Sequence, residues 1–327
     1  MEPFSLPAGL SPMAFSVAEA AHLGLTPGRL RSGLYLPTRG VRSVAPPLTL
    51  IERARIFAKA APDGFALSHQ SAAALLGMAL SYAMEHDDRL HIMTSTSWGR
   101  MRRDGVCAHR GLETREVVFV EGLPVVSAPD TWVDLGELVG RGKPAGLDDL
   151  IVAGDLAANI VGGTAPLRDA LARRVRPRGK VTLSYARHRI RLGSASAMET
   201  RSRLMVVRAG LPEPQLNAHV VSTTGQWLAC CDLVWKGPRV VGEYNGVEWH
   251  EGPQREELDG IRREGLERDG WRVVDMVAAD VFEPLSRQAK LYELAEALGH
   301  DVRRLRFVEA EPQFYAPAQF QQPRRRR

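Results

Sequence analysis

Two consecutive apolar segments in the C-terminal half constrain the fold of this chain more than any other feature. They cover residues 227–235 and 239–245, and the sequence Lys-Gly-Pro-Arg between them is typical of a turn. A symmetric hairpin centred between Gly237 and Pro238 pairs residues whose numbers add up to 475. The sequence therefore predicts a β-hairpin with a defined register.

This register places two acidic residues, Asp232 and Glu243, opposite each other on one face of the hairpin. Their Cβ atoms would lie about 4.5–5.5 Å apart, where like charges destabilise a sheet unless protonation, solvent, a basic neighbour or a divalent cation compensates them. Mg²⁺, held by one or two carboxylates and by phosphate oxygens, suits this arrangement best, and Mn²⁺ is its alternative. Asn245 is predicted on the same face, and a one-residue bulge would break the arrangement.

The residues around this hairpin form a longer pattern. It consists of Glu199 on a helix, Asp232 after an apolar strand, Glu243-Tyr244-Asn245-Gly246 with His250, Asp259 to Arg262, and Gly270-Trp271-Arg272-Val273-Val274. The pattern resembles the restriction-endonuclease-like fold, the PD-(D/E)XK superfamily. More closely, it is similar to the very-short-patch-repair-type endonuclease domains of actinobacterial proteins, and the resemblance covers residues 194–285.

The resemblance implies an α/β domain with a central mixed sheet flanked by helices, and a site that hydrolyses phosphodiester bonds. It implies that Asp232 and Glu243 bind the metal ion and that Glu199 reaches the ion directly or through water. His250 would act as a base or contact the phosphate. A metal ion held in this way activates water and stabilises charge on the scissile phosphate.

The chain departs from the superfamily pattern at Asn245, where many members have lysine. Asparagine carries no charge and does not replace an ammonium group. If the site is catalytic, another donor is needed, and Lys236 and Arg262 are the two candidates. Catalysis is therefore less firmly implied than the fold.

Several of these residues also have a structural interpretation. Glu199 completes a Ser-x-x-Glu capping box and could serve only its own helix. His250 follows Trp249 and could be a packed histidine. Asp259 and Arg262 are three residues apart, a spacing that favours an ion pair on one helix.

The first segment of the chain predicts a winged helix-turn-helix over residues 1–60. A capping box at Ser16 opens one helix, Thr26-Pro27 begins a second, and residues 34–41 read as strand, turn and strand. The alternative is a small helical subdomain with solvated arginines. In the DNA-binding interpretation, the nucleic-acid contacts come from Arg29, Arg31, Arg39 and Arg42.

Residues 14–160 are similar, through less specific motifs, to the winged-helix antitoxin-like region of abortive-infection proteins. Beyond the opening helix-turn-helix, these motifs are Ser68-His69-Gln70-Ser71-Ala72-Ala73 and Asp130-Thr131-Trp132-Val133-Asp134-Leu135. The resemblance implies DNA, a partner toxin or another protein as the binding partner. His69, His91 and His109 show no metal-ligand spacing, so we expect them to be structural or surface histidines.

The predicted organisation is a winged-helix-like segment at 1–60, an antitoxin-like α/β region at 61–190, a restriction-endonuclease-like domain at 191–310, and a basic tail at 311–327. The N-terminal half is thus predicted as α+β. Residues 1–190 carry 23 basic and 18 acidic side chains, whereas residues 191–327 carry 20 of each. The excess positive charge therefore lies in the half predicted to bind DNA.

The compartment is predicted from cysteines and targeting segments. The chain has three cysteines without paired C-x-x-C spacing, no secretory signal and no long apolar span, which predicts a cytoplasmic protein that does not bind membranes. The predicted function is a metal-dependent DNA endonuclease that cuts or nicks. The alternatives are a non-catalytic transcriptional regulator or antitoxin that retains the nuclease fold, and an enzyme that acts on RNA.

Overall fold

The computed structural model describes residues 6–31, 34–61, 63–97, 99, 101–246 and 252–307, with the backbone alone described for 252–259. His250 and the predicted tail lie outside the described residues. The chain forms two compact units. Unit 1 comprises Met1–Leu138 and Asp169–Lys180, and unit 2 comprises Val139–Arg168 and Val181–Arg327.

Unit 1 combines short helices with a five-stranded sheet. Its strands are β1 (Phe15–Ser16), β2 (Val41–Arg42), β3 (Ala66–Leu67), β4 (Leu90–Thr94), β5 (Val106–Arg110), β6 (Val117–Val120) and β7 (Leu123–Val126). Its helices are α1 (Val17–His22), α2 (Leu50–Ala58), α3 (His69–Leu75), α4 (Tyr82–Glu85) and α5 (Ala128–Leu135). Next in the chain come α6 (Leu147–Val161), α7 (Ala165–Arg173) and α8 (Lys180–Arg187).

The large sheet of unit 1 is mixed, with the strand order β5-β4-β3-β7-β6. β4 is parallel to β5 and β3 to β7, whereas the β3–β4 and β6–β7 pairs are antiparallel. Helices α2 and α3 pack on this sheet, and its core includes Phe57, Leu67, Ile92 and Val125. Unit 1 therefore has the α+β character that the sequence predicts.

The N-terminal segment differs from a helix-turn-helix in its second element. Helix α1 begins at the predicted capping box, in which Ser16 and Glu19 exchange side-chain and backbone hydrogen bonds. The predicted second helix is only a three-residue 3₁₀ turn, Arg29–Arg31. Gly28 precedes this turn, and glycine in the first turn disfavours a longer helix. The predicted wing is represented by a single bridge between Tyr35 and Ser43.

Unit 2 contains the predicted hairpin. Its strands are β8 (Gln215–Val221), β9 (Trp227–Trp235), β10 (Val240–Tyr244) and β11 (Arg272–Met276). Its helices include α9 (Ala197–Arg208), α10 (Gly252–Arg268), α11 (Ala278–Phe282) and α12 (Pro284–Ala297). The sheet order is β11-β10-β9-β8; β10 is parallel to β11, and the other pairs are antiparallel. The sheet is therefore mixed, as predicted.

Two apolar clusters cover the two faces of this sheet. Val206 of α9 and Leu294 of α12 pack in the first cluster, and Leu266 of α10 packs in the second. Gly242 in β10 lies where a Cβ atom would come within 2.9 Å of the terminal methyl group of Met276, so a larger residue here would require that flexible side chain to move.

Helix α6 is joined to α9 by three carboxylate–guanidinium pairs within unit 2. They are Asp148 with Arg208, Asp149 with Arg201, and Asp155 with Arg203. Within the described part of the chain, no single helix is long and apolar enough to cross a membrane. The bent pair of α6 and α7 reaches the length and apolar composition of a membrane span only when the two helices are counted together.

Candidate functional site

The hairpin of β9 and β10 has the predicted register. Val240 pairs with Trp235, Val241 with Val234 and Gly242 with Leu233, and each pair of numbers adds up to 475. The next positions along this ladder are Asp232 and Glu243. The backbone amide of Tyr244 donates a 2.8 Å hydrogen bond to Oδ2 of Asp232, so the Asp232 side chain replaces a backbone partner at this point.

Strands β8 and β9 both change face beside Asp232. Leu216 and Leu233 pair and pack in the first cluster, whereas Ala218 and Cys231 pair and pack against the second. Residues two apart on a regular strand face the same side, so both strands are distorted between these pairs. On β8 the intervening residue is Asn217, whose φ of +41° is left-handed.

The environment of Asp232 is negative and partly desolvated. The pKa of Asp232 is raised to about 6, first by burial and also by the nearby charges of Glu243 and Glu199, which together outweigh the lowering effects of the Tyr244 amide and Arg262. These interactions show that Glu199, Asp232 and Glu243 lie in one electrostatic neighbourhood. The structure thus brings the three predicted metal ligands together, although their oxygens do not all lie within 4.8 Å of one another.

Glu243 is buried and only half satisfied. Its Oε2 lies 3.2 Å from a guanidinium nitrogen of Arg262 on α10. Its Oε1 is buried and has no hydrogen-bond partner among the described residues. The neighbouring thiol of Cys231 is a weak donor, and burial together with Glu243 raises the pKa of that thiol. Among the described residues, Arg262 is therefore the charged partner of Glu243.

Glu199 has a structural role of the kind that its capping box suggested. Its amide donates to Oγ of Ser196, and its Oε2 accepts a 2.7 Å hydrogen bond from the amide of Ala195. The side-chain amide of Asn217 donates to the same oxygen. Glu199 thus anchors the start of α9 beside the site.

The side-chain amide of Asn245 is already engaged by a residue outside the group of three carboxylates. Its Nδ2 donates a 3.0 Å hydrogen bond to Asp275 on β11, and Asp275 also pairs with Arg263. Lys236 and Arg262 are the two candidate replacements for lysine. Lys236 is exposed in the turn, whereas Arg262 forms an ion pair with Glu243. Arg262 is therefore the cation of this site.

The four predicted DNA-contacting arginines lie in the first part of unit 1. Nε of Arg42 donates to the carbonyl of Leu30, and Nε of Arg31 donates to the carbonyl of Pro27. Arg29 has a partner of its own, and Arg39 is exposed in the turn before β2. Two of the four guanidinium groups therefore stabilise the local backbone.

Unit 1 contains a histidine cluster that the sequence did not predict. One ring nitrogen from each of His69, His91 and His109 lies within 4.8 Å of the other two, which is a distance compatible with metal binding. Among the described residues, no other group of three or more possible metal ligands has this spacing. Nδ1 of His91 lies 3.1 Å from Nε2 of His109, and the rings of His69 and His109 stack at 3.5 Å.

Acidic and thiol groups surround these rings. Burial lowers the pKa of His69. Burial also lowers the pKa of His109, but hydrogen bonds to Cys107 and Glu137 outweigh it and raise this pKa to about 9. Hydrogen bonds from His109 and His91 in turn lower the pKa of Cys107 to about 6.

An open cavity of about 850 Å³ lies beside the cluster in unit 1. His69, His109 and Glu137 line it on one side. The rest of its lining mixes apolar and hydroxyl side chains and Asp134 with six arginines: Arg110, Arg115, Arg173, Arg174, Arg176 and Arg178. Four of these arginines pair with carboxylates, so the cluster opens into a space lined by several guanidinium groups and their counter-ions.

The cluster was missed because its residues are distant in sequence. β4 and β5 are parallel, with His91 opposite Cys107 and Met93 opposite His109, so both histidines project from one face. A strand predicted at Val106–Arg110 would have placed His109 on a strand that could pair with the strand of His91.

Comparisons with known proteins identify partial relatives only. Two uncharacterized proteins of Mycobacterium tuberculosis, from different strains, are each 37% identical to this chain over 87 residues. The match covers 26% of this chain and 31% of each relative, so the chain matches about a third of their length. No family model and no solved structure matches the chain.

Proposed function

We propose that unit 2 is a metal-dependent endonuclease that hydrolyses or nicks the phosphodiester backbone of DNA. One observation carries the proposal: Asp232 and Glu243 occupy neighbouring positions on adjacent strands and interact electrostatically, and a buried oxygen of Glu243 has no hydrogen-bond partner among the described residues. Two carboxylates in a partly buried site need a positive counterpart beyond one guanidinium group. An oxygen-ligand dication, Mg²⁺ or Mn²⁺, satisfies that requirement.

The order of elements supports the same proposal. Helix α9, strands β8, β9 and β10, helix α10 and strand β11 follow one another, with β10 parallel to β11. The restriction-endonuclease-like resemblance implies a mixed sheet flanked by helices, and this arrangement is compatible with it. The finer assignment to a very-short-patch-repair-type domain is part of the proposal.

Each residue of the site would have a separate task. Asp232 and Glu243 would hold the ion, and the Tyr244 amide would keep Oδ2 of Asp232 in place. A bound dication activates water and neutralises charge on the phosphate. Glu199 would position Asn217 and the start of α9, and would contribute negative charge.

Arg262 would supply the positive charge that Asn245 lacks. Its guanidinium group is always protonated and presents several donors, which suits a phosphate oxygen beside Glu243. His250 keeps its predicted role as base or phosphate ligand, but it lies outside the described residues. In this scheme, unit 1 binds DNA or a partner protein through its basic surface, with Arg29, Arg31, Arg39 and Arg42 as the proposed contacts.

A second candidate is a DNA-binding regulator or antitoxin without catalysis. Two observations favour it: Asn245 donates to Asp275, and Glu199 is engaged by the backbone of Ala195. Such a protein would bind its target in a salt-dependent manner without a requirement for metal. Such a regulator would bind DNA but would not cleave it.

Plasmid cleavage distinguishes the two candidates. The full-length protein is incubated with supercoiled plasmid in Mg²⁺, in Mn²⁺ and in EDTA, beside Asp232→Asn and Glu243→Gln. Glu267→Gln is the matched control because Glu267 is an exposed carboxylate on α10. We expect metal-dependent cleavage by the wild type and the control, and loss of about 100-fold or more in both site variants. Equal cleavage by all four proteins refutes the proposed site.

A further inference from the structure

We propose that His69, His91 and His109 form a binding site for a divalent transition-metal ion of the Zn²⁺ class. The site belongs to unit 1 and is independent of the proposed carboxylate site in unit 2. The proposal rests on the convergence of three ring nitrogens within 4.8 Å and on the groups behind the rings.

The spacing of the ring nitrogens fits the ion. In a tetrahedral site with Zn–N bonds of about 2.0–2.1 Å, two ligand nitrogens lie about 3.3 Å apart. Nδ1 of His91 and Nε2 of His109 are already 3.1 Å apart. Imidazole is a preferred ligand of Zn²⁺ and its first-row neighbours, whereas Mg²⁺ prefers oxygen.

The opposite nitrogens of these two rings face carboxylates. Nε2 of His91 lies 3.3 Å from Asp87, and Nδ1 of His109 lies 3.5 Å from Glu137. A carboxylate behind a histidine fixes the tautomer whose other nitrogen carries the lone pair for the metal. Both rings therefore have the outer partners that metal-binding histidines use.

His69 completes the set from the start of α3. Its Nε2 lies 3.0 Å from Glu137, and its Nδ1 lies 3.2 Å from Oγ of Ser68. Its ring is buried, and its φ of +49° is left-handed, a conformation that costs a non-glycine residue free energy and persists where the surroundings enforce it. The stacked rings of His69 and His109 would turn about χ2, a soft torsion, to direct both nitrogens at one ion.

The site would not be closed. Three histidines leave one position of a tetrahedral ion for water or another ligand, as in zinc sites that react with substrates. His69 and His109 line the cavity of unit 1, so this position would be reached from that cavity. Arg178 also contacts Glu137 at 3.1 Å and so lies beside the cluster.

Metal binding is tested on the full-length protein with the ions alone. The protein is first stripped with a chelator and then titrated with Zn²⁺ and Co²⁺ in excess Mg²⁺, which occupies oxygen-ligand sites. We expect one tightly bound ion per chain. X-ray absorption of the Zn²⁺ form is expected to show histidine nitrogens at about 2.0–2.1 Å.

Variants assign the ligands. His109→Ala removes the least buried ring and is expected to weaken Zn²⁺ binding about 100-fold or more, whereas Glu137→Gln is expected to weaken it about 10–100-fold. His86→Ala, an exposed histidine stacked on Tyr82, is the matched control and should bind like the wild type. Circular dichroism shows whether each variant is folded.

Three results would overturn the proposal. They are a wild-type protein that binds no stoichiometric Zn²⁺, an absorption spectrum with an oxygen-only shell, and folded His109→Ala with unchanged affinity. Asp232→Asn separates this proposal from the proposed nuclease site, because it should bind Zn²⁺ normally. If Asp232→Asn alone abolishes Zn²⁺ binding, the ion belongs to the carboxylates and the histidine site is refuted.

Discussion

A guanidinium nitrogen of Arg262 lies 3.2 Å from Oε2 of Glu243, while Oε1 of the same carboxylate is buried and has no hydrogen-bond partner within the described part of the chain. One cation is thus present, and it occupies one side of the carboxylate. The pair joins α10 to β10 in the part of unit 2 where Asp232 also lies. Arg262 therefore both compensates the carboxylates and competes with any second cation for Glu243.

Replacing Arg262 separates these two effects. In Arg262→Ala, we expect the Mg²⁺ concentration for half-maximal cleavage to fall severalfold, because Glu243 loses its competing cation. The maximal cleavage rate should fall about 100-fold, because a donor to the phosphate is lost. Cleavage is measured over a Mg²⁺ series, with Arg268→Ala as the control for an exposed α10 arginine. A rise in the required Mg²⁺ concentration would show that Arg262 does not compete with the ion.

The raised pKa of Asp232 predicts how stability of the metal-free protein depends on pH. Its pKa is 3.8 for an ordinary aspartate and about 6 in the folded chain, so the folded state binds more protons between these values. The contribution of Asp232 to stability therefore falls as pH rises from about 4 to 6 and stays low above that. In EDTA at pH 7.5, we expect Asp232→Asn to be more stable than the wild type by about 1–2 kcal/mol, since solvent screens part of the effect.

The measurement is urea denaturation at pH 4.5 and 7.5, in EDTA and in Mg²⁺. The advantage of Asp232→Asn should shrink at pH 4.5, where much of the wild-type Asp232 is already neutral. Adding Mg²⁺ at pH 7.5 should stabilise the wild type more than the variant. A variant that is less stable than the wild type in EDTA at pH 7.5 would contradict the electrostatic interpretation.

The hairpin could be predicted because the residues that determine it are close together in the sequence. The turn and the flanking apolar residues set the register of β9 and β10, which the structure has at Val240–Trp235, Val241–Val234 and Gly242–Leu233. The mixed sheet, in contrast, was expected only from the resemblance to the restriction-endonuclease-like fold. The face change at Asn217 could not be read from the sequence, because alternation along a strand assumes regular dihedral angles.

The histidine cluster shows the opposite case. His69, His91 and His109 meet only because β4 and β5 are parallel and α3 begins beside them. No spacing along the chain encodes that meeting, since parallel neighbours depend on the topology of the whole sheet. The prediction of a second helix in the helix-turn-helix was wrong for a local reason. Arg29–Arg31, which follow Gly28, form only a 3₁₀ turn.

Asn217 gives a test of the distorted strand pair. Asn217→Gly keeps the left-handed backbone accessible but removes the side-chain bonds to Gly193 and Glu199. Asn217→Ala removes the same bonds and also makes the backbone unfavourable. We expect Asn217→Ala to be less stable than Asn217→Gly by about 1 kcal/mol, measured by urea denaturation. The reverse order would mean that the strand relaxes when Asn217 is replaced.

Arg203 on α9 and Asp155 on α6 form a buried ion pair. Asp155 is fully buried, and it accepts hydrogen bonds from Arg203 at 2.8 Å and from Thr200 at 2.9 Å. Arg203→Met leaves this carboxylate without its counter-ion, so we expect a loss of about 3–5 kcal/mol in the free energy of unfolding. Arg203→Met/Asp155→Leu removes both charges and should recover most of that loss. A double-mutant cycle by urea denaturation measures the coupling, and additive losses would show that the two side chains do not depend on each other.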